Sequence, residues 1–314
     1  MTGRLGDWGN LETGQIGRLG RPGGKAAKSL LFTLYSLFYR NMKDILSEII
    51  ANKRKEVATQ RERLPLIELE KRLSTEMGAV PFYSMKEALE SSKSGIIAEF
   101  KRRSPSKGWL FQTANPDKAG QVVSEVTKAY ESAGASALSV LTDEKYFGGT
   151  MADLREATGR VKIPVMRKEF IVDEYQLFEA KLAGASAVLL IAAAITREEC
   201  KRFTDLANQL GLEVLLELHD EGEVDHIGPL NRLVGINNRN LGSFVTDLKK
   251  SFRMAELLPK EAVWISESGI SDADIVKDLR QAGYKGFLIG EHFMKSGNPG
   301  QSLAEFLDSI DIQL

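Results

Sequence analysis

Glu99 and Lys101 put an acid and a base two residues apart, at the end of the apolar run Ile96-Ile97-Ala98. A basic Ser/Pro/Gly stretch follows directly: Arg102-Arg103-Ser104-Pro105-Ser106-Lys107-Gly108. Strand side chains alternate between faces, so Glu99 and Lys101 share one face and Phe100 takes the other. A salt bridge on a solvated edge strand accounts for that pair alone. However, similar ends recur along the chain. Apolar runs lead into Arg167-Lys168-Glu169-Phe170, into Glu217 between Leu216 and Leu218, and into Asn237-Asn238-Arg239. Others lead into Glu267-Ser268-Gly269 and Gly290-Glu291. Together these ends carry lysines, an arginine, several carboxylates and glycine-containing turns. Such a set suits acid–base chemistry on an acidic, phosphorylated small molecule.

Each residue has a plainer alternative. Lys168 taken alone is as well read as a solvated loop lysine, and Asn237 and Arg239 as turn caps. Glu217 inside an apolar run is either a salt-bridged core carboxylate or a functional one, because an unpaired buried carboxylate is costly. Ser268, Gly269 and Gly290 have a sharper purpose. Loops after the last two strands of a barrel often offer backbone N–H groups to a phosphate, and glycine permits close approach.

The elements that must carry these residues follow from periodicity. Ala133-Gly134-Ala135-Ser136-Ala137 is nearly repeated at Ala183-Gly184-Ala185-Ser186-Ala187, and Ala282-Gly283-Tyr284-Lys285-Gly286 is a third version. Each precedes a short continuous apolar run, the signature of a strand buried on both faces of a parallel sheet. The spacing implies a strand–helix period of about 25 residues, with strands near 96–101, 137–141, 163–168, 187–191, 213–218, 233–237, 263–267 and 286–290. Eight such units predict a (βα)8 TIM barrel with its chemistry at the C-terminal strand ends. A doubly wound open sheet is the runner-up, disfavoured because no Gly-x-Gly-x-x-Gly turn follows the first strand.

Ahead of the barrel, Ile45, Ile49, Ile50 and Val57 predict an amphipathic helix. Leu66–Leu73 and Ser84–Ser92 predict two more, so extra helices occupy about 42–94. Asn115-Pro116-Asp117 reads as the start of the helix after the first strand. Residues 1–41 differ: a Gly- and Arg-rich stretch precedes the apolar run Leu30–Tyr39, too short to span a membrane. We expect this extension to be disordered, or to lie upstream of a true start at Met42. A secretory signal is disfavoured because no small-residue cleavage site follows the apolar run.

The 314 residues are 43% hydrophobic with a net charge of −1. That gives a substantial core and no global attraction for nucleic acid or an acidic membrane. The single cysteine, Cys200, excludes an intrachain disulfide and suits a reducing, cytoplasmic compartment. The three histidines (His219, His226, His292) show no metal-ligand spacing.

The motifs Ile97–Gly108, Leu141–Gly149, Arg167–Asp173, Leu216–Glu221, Gly235–Arg239 and Ser266–Ile270 resemble, in order, those of the indole-3-glycerol-phosphate synthase family. The resemblance runs from about Met42 to the C-terminus and implies the ring-closing step of tryptophan synthesis, without cofactor or metal. It implies that Lys168 is the general acid and Glu217 the general base. Lys101 would hold the substrate carboxylate, with Glu99 beside it tuning the charge. Asn237 and Arg239 would orient the substrate, and Glu267 and Ser268 form the seventh-strand pair. Ser268, Gly269, Gly290 and Glu291 would meet the phosphate, and Ser104 also falls among the binding residues. Phe147, Phe170 and Phe111 are candidate walls for the aromatic ring. One departure is His292, where the family more usually carries serine. Oligomeric state is expected to be a monomer or weak homo-oligomer. A different phosphosugar enzyme on the same barrel, such as phosphoribosylanthranilate isomerase, would not need Glu99, Lys101, Lys168 and Glu217 together. A catalytically dead binding barrel would not need all these ionisable groups.

Overall fold

The computed structural model describes residues 44–76, 81–105, 107–110, 119–240 and 245–310. The extension, the helix start at Asn115 and Phe111 lie outside the described residues. Among the described residues three helices come first: α1 (Asp44–Arg63), α2 (Leu66–Glu76) and α3 (Met85–Ser91). Strand β1 (Ile96–Phe100) then leads to a short hairpin, Arg103–Ser104 against Gly108–Trp109. Strands and helices alternate from there: α4 (Ala119–Ala133), β2 (Ala137–Leu141), α5 (Glu144–Phe147), α6 (Met151–Thr158), β3 (Val165–Lys168) and α7 (Tyr175–Leu182). They continue with β4 (Ala187–Ile191), α8 (Arg197–Gln209), β5 (Glu213–Leu218), β6 (Leu233–Asn237) and α9 (Lys249–Met254). The last are β7 (Val263–Glu267), α10 (Ala273–Gln281), β8 (Gly286–Ile289), α11 (Glu291–Met294) and α12 (Pro299–Ser309).

All eight strands pair in parallel with their sequence neighbours, and β8 closes on β1. The predicted barrel is therefore the observed one. Strand bounds agree closely, except that β3 begins two residues later, at Val165, and Lys101 falls just past the end of β1.

Local chemistry explains the alternation. Gly134, Gly184 and Gly283 of the repeated motif all adopt positive φ (101°, 79° and 104°) directly after a helix. Only glycine takes that conformation cheaply, so the motif stops each helix and turns the chain into the next strand. Thr150 and Thr196 form capping boxes at the starts of α6 and α8, which satisfies backbone donors that would otherwise be orphaned.

Strand side chains divide by parity. Ile96, Ala98 and Phe100 pack outward against the helix layer, whereas Ile97 joins an interior cluster with Met166, Leu189, Leu215, Leu233, Ile265 and Leu288. Met85 and Leu89 of α3, both buried, belong to that interior cluster. The Glu213 carboxylate fixes α3 by accepting from the Ser84 hydroxyl (2.7 Å) and the Met85 amide (2.6 Å), an anion at a helix N-terminus. Each fully buried Leu or Ile contributes about 1.5–3 kcal/mol. Apolar packing thus fills the barrel's interior and leaves the C-terminal strand ends free to carry polar groups. Helices α1 and α2 lie against α7, burying Val57, Leu69, Tyr175 and Phe178 together.

Candidate active site

The same parity that buries Met166, Leu215 and Ile265 aims Lys168, Glu217 and Glu267 into the barrel one pleat higher. Pairing of Leu141 with Lys168, Ile191 with Glu217 and Asn237 with Glu267 brings these residues to the strand ends together. Lys168 Nζ lies 2.8 Å from Glu217 Oε2 and 2.6 Å from Glu267 Oε2. The isolated-loop-lysine reading of Lys168 is thereby excluded, and the cation that Glu217 required is identified.

Proton affinities within the trio diverge. Burial disfavours the Lys168 ammonium, but Glu217, Glu267 and Glu99 outweigh it and raise its pKa. Burial alone would raise Glu217 as well, yet Lys168 and His219 hold it well below the usual carboxylate range. Burial pushes Glu267 up to about 8, with Lys168 opposing and Glu217 assisting. Glu217 is thus the ionised carboxylate and Glu267 the one that keeps its proton. Glu267 Oε1 is buried without a hydrogen-bond partner, which a neutral carboxyl tolerates better than a charged one. That oxygen fills the space beside Gly235, where any Cβ would collide with it.

Glu99 and Lys101 form a second buried pair at 2.5 Å. Gly290 is a glycine for a reason the sequence did not show: a Cβ there would strike the Glu99 carboxylate.

Just past the end of β7, Ser268 (φ 69°) and Gly269 (φ 81°) are consecutive left-handed residues. Ser268 is the one non-glycine with positive φ among the described residues, a conformation that costs energy and marks a constrained turn. Arg239 reaches Glu291 Oε2 at 3.0 Å and Lys295 reaches Glu291 Oε1 at 2.5 Å. Burial alone would raise the Glu291 carboxyl, but Lys295 and Arg239 hold it down to about 2. Its side chain is therefore engaged by two cations. Asn237 Oδ1 accepts the Arg239 amide at 3.0 Å, orienting this stretch.

Phe147 and Phe170 pack against each other, with ring centroids 6.0 Å apart and planes tilted by 39°. Buried Ser104 accepts the Lys107 amide at 3.2 Å and shapes the loop after β1. The Lys168 trio, the Glu99–Lys101 pair, the Ser268–Gly269 turn, Arg239, Glu291 and both phenylalanines line one cavity of about 810 Å³, floored by Leu189, Ile191 and Leu288. That size fits a substrate combining an aromatic ring and a sugar phosphate.

Sequence reasoning missed His219, Lys107, Thr246, Lys295 and Lys53. His219 Nε2 bonds Glu217 Oε1 at 2.8 Å. Its signal is present in the sequence, two residues beyond Glu217 and hence of the same strand parity. His292 packs as an aromatic, with its ring 5.5 Å from both Phe293 and Phe306, while also bordering the cavity.

Residues 46–306 match the family described as indole-3-glycerol phosphate synthase. The chain is 55% identical over 270 residues to an indole-3-glycerol phosphate synthase from Bacteroides thetaiotaomicron, covering 86% of this chain and all of the relative. It is 38% identical to one from Polaromonas naphthalenivorans, over 84% of this chain and 98% of the relative. Among solved structures, a mutant tryptophan synthase alpha-subunit from Pyrococcus furiosus matches with a TM-score of 0.51. Identity there is 14%, over 69% of this chain and 97% of that one, a likeness of fold alone.

Proposed function

The chain belongs to the indole-3-glycerol phosphate synthase family, and from that membership we propose how its cavity performs the family's reaction. It is a carboxy-lyase of tryptophan biosynthesis. It converts 1-(2-carboxyphenylamino)-1-deoxy-D-ribulose 5-phosphate into indole-3-glycerol phosphate, with release of CO2 and water.

The observation that carries the proposed mechanism is the Lys168 ammonium held between Glu217 and Glu267 (2.8 and 2.6 Å). Ring closure joins the ring carbon bearing the carboxylate to the ribulose carbonyl carbon. The carbonyl oxygen gains charge, and Lys168 stabilises and protonates it. Loss of CO2 then restores the aromatic ring. Departure of the new hydroxyl as water needs a proton delivered to it and another removed from the neighbouring carbon, and Glu217 accepts the latter. In the resting pair each partner blunts the other's reactivity. A substrate carbonyl that draws Lys168 away leaves Glu217 more basic at the moment a base is needed.

In this reading Lys101 holds the substrate carboxylate while Glu99 tunes its charge. Asn237 and Arg239 orient the ribulose, with Ser104 and Glu267 on the walls. Ser268, Gly269, Gly290 and the Glu291 backbone meet the phosphate, and Phe147 and Phe170 hold the aryl ring. Turnover of the anthranilate-derived ribulose phosphate, read by indole fluorescence, tests the whole assignment. Absence of product at micromolar enzyme would overturn it in favour of an isomerase or a non-catalytic barrel.

No described helix is long and apolar enough to cross a membrane. The proposed enzyme is cytoplasmic, acts on a small molecule without a nucleic-acid partner, and is a monomer or weak homo-oligomer. We also assign the catalytic unit to residues 42–314, because the family match begins at residue 46 and α1 at Asp44. A chain starting at Met42 should keep its turnover and melting temperature, and loss of either would move that boundary.

A further inference from the structure

Lys53 lies on α1, outside the cavity lining, and has no part in the chemistry above. It is nevertheless only 5% exposed. Its ammonium meets three carboxylates: Glu56 at 2.7 Å, Asp143 at 3.0 Å and Glu169 at 3.2 Å. Burial disfavours its charge, but Glu169 and Asp143 more than offset that, and its pKa is raised. A buried ammonium so fully paired is expensive to disturb.

Glu56 belongs to the same helix, whereas Asp143 and Glu169 belong to the loops after β2 and β3. Each loop carboxylate sets one aromatic wall of the cavity. Asp143 Oδ1 caps α5 by accepting the Tyr146 amide at 2.7 Å, and Phe147 is the next residue. Glu169 Oε1 accepts the Phe170 amide at 2.8 Å. Glu169 Oε2 also accepts the Thr142 hydroxyl at 2.7 Å, stitching the two loops together. Glu169 has a second cation, Arg167, at 3.7 Å. Among the described residues the cation paired with Asp143 is Lys53.

We propose that Lys53 is a positioning residue that clamps the loops after β2 and β3 and so sets the wall that Phe147 and Phe170 form together for the substrate's aryl ring. This rests on the proposal above that these two rings hold the aryl group. A lysine that merely anchored α1 would, when lost, weaken the whole molecule and both ends of the substrate alike. A lysine that sets this aromatic wall would weaken the aryl end selectively, because the proposed phosphate rim of Ser268, Gly269 and Gly290 does not touch this network.

Anthranilate and inorganic phosphate, used separately as competitive inhibitors of the full-length enzyme, report the two ends. Lys53→Met should raise the anthranilate inhibition constant and substrate KM by about tenfold, within the range a small misplacement of binding groups produces. The phosphate inhibition constant should not change, and kcat should fall by less than KM rises. Glu56→Gln, which removes a Lys53 partner that holds no loop, should leave all of these unchanged. Equal weakening of both inhibitors, or an unchanged anthranilate constant, would overturn the proposal. Should Lys53→Met fail to fold, Asp143→Asn keeps the capping oxygen but removes the charge facing Lys53. It should give the same selective loss at smaller size, and its absence would be equally decisive. Phe170→Leu separates the two levels of the argument. If it leaves anthranilate inhibition intact, or if anthranilate does not inhibit the wild-type enzyme, the aryl-site reading itself fails.

Discussion

Lys168 Nζ lies 2.6 Å from Glu267 Oε2, so the cation at the centre of the cavity is bonded to the one carboxyl there that resists ionisation. Unfolded, Glu267 ionises near its ordinary 4.5, whereas folded it does so near 8. Between those values the unfolded chain has released a proton that the native protein still holds. This contribution to stability is therefore full below about 4.5, declines as pH rises, and is gone above about 8. Glu267→Gln should flatten the fall in unfolding free energy between those pH values, measured by denaturant titration at several pH values. An unaltered slope would show that the retained proton sits elsewhere.

Lys168→Ala should lower turnover by roughly 10²–10⁴, the span expected for a general acid, with a smaller effect on substrate binding. Steady-state indole fluorescence gives both numbers. A variant keeping more than about a tenth of wild-type turnover would shift the acid role to another cation, with Lys101 the nearest candidate by chemistry.

How much of this site was legible in the sequence depends on whether a residue's role is local. Lys168, Glu217 and Glu267 were found because a polar residue ending an apolar run is visible in one dimension, and strand parity says which way it points. The barrel was legible for the same reason: the Ala-Gly motif at 133, 183 and 282 encodes a helix stop wherever it occurs. Lys53 was not legible. Its loop partners, Asp143 and Glu169, lie 90 and 116 residues away (143 − 53 and 169 − 53), and nothing in a helix periodicity flags a lysine that will be buried. Gly235 stands in the sequence only within a motif and Gly290 only as an expected phosphate contact, and the space they leave for Glu267 and Glu99 exists only in three dimensions.

Gly235→Ala tests that purpose directly. Its new methyl would displace Glu267 Oε1 and with it the bond to Lys168. Turnover should fall by about 10²-fold, as a displacement of roughly 1 Å at a reacting group can cause. Circular dichroism should be unchanged. Wild-type turnover in this variant would mean that Glu267 has room to move without consequence.

Substitutions at the Ser268–Gly269 turn should have unequal effects on stability. Gly269→Ala meets both a φ of 81° and the Thr246 side chain, so it should destabilise by about 1–3 kcal/mol. Ser268→Gly relieves a φ of 69°, worth about 1 kcal/mol, partly offset by the freer unfolded chain. It should fold as well as wild type while substrate KM rises through loss of the hydroxyl. Thermal melts and KM values for both variants check this, and a normal KM for Ser268→Gly would remove that hydroxyl from the phosphate site.

Glu291 places a carboxylate at the rim where the proposed substrate brings a phosphate dianion. It is tolerated because Arg239 and Lys295 both hold it, at 3.0 and 2.5 Å. The arriving phosphate therefore meets two cations that are already partly neutralised. Glu291→Gln removes that competing charge and keeps one acceptor oxygen, so it holds one of the two cations and releases the other to the phosphate. The pair is partly solvent-screened, so the gain should be modest, on the order of 0.5–1 kcal/mol. Substrate KM and the inhibition constant of inorganic phosphate should both fall about two- to fivefold. Glu291 ionises near 2, so its own charge is constant at every pH at which the enzyme can be assayed, and the gain should grow only as the phosphate takes its second charge. Raised salt should shrink it, since exposed charges are screened. A rise in KM instead would mean that the Glu291 charge earns its place by holding Arg239 over the substrate, and that the clamp outweighs the repulsion.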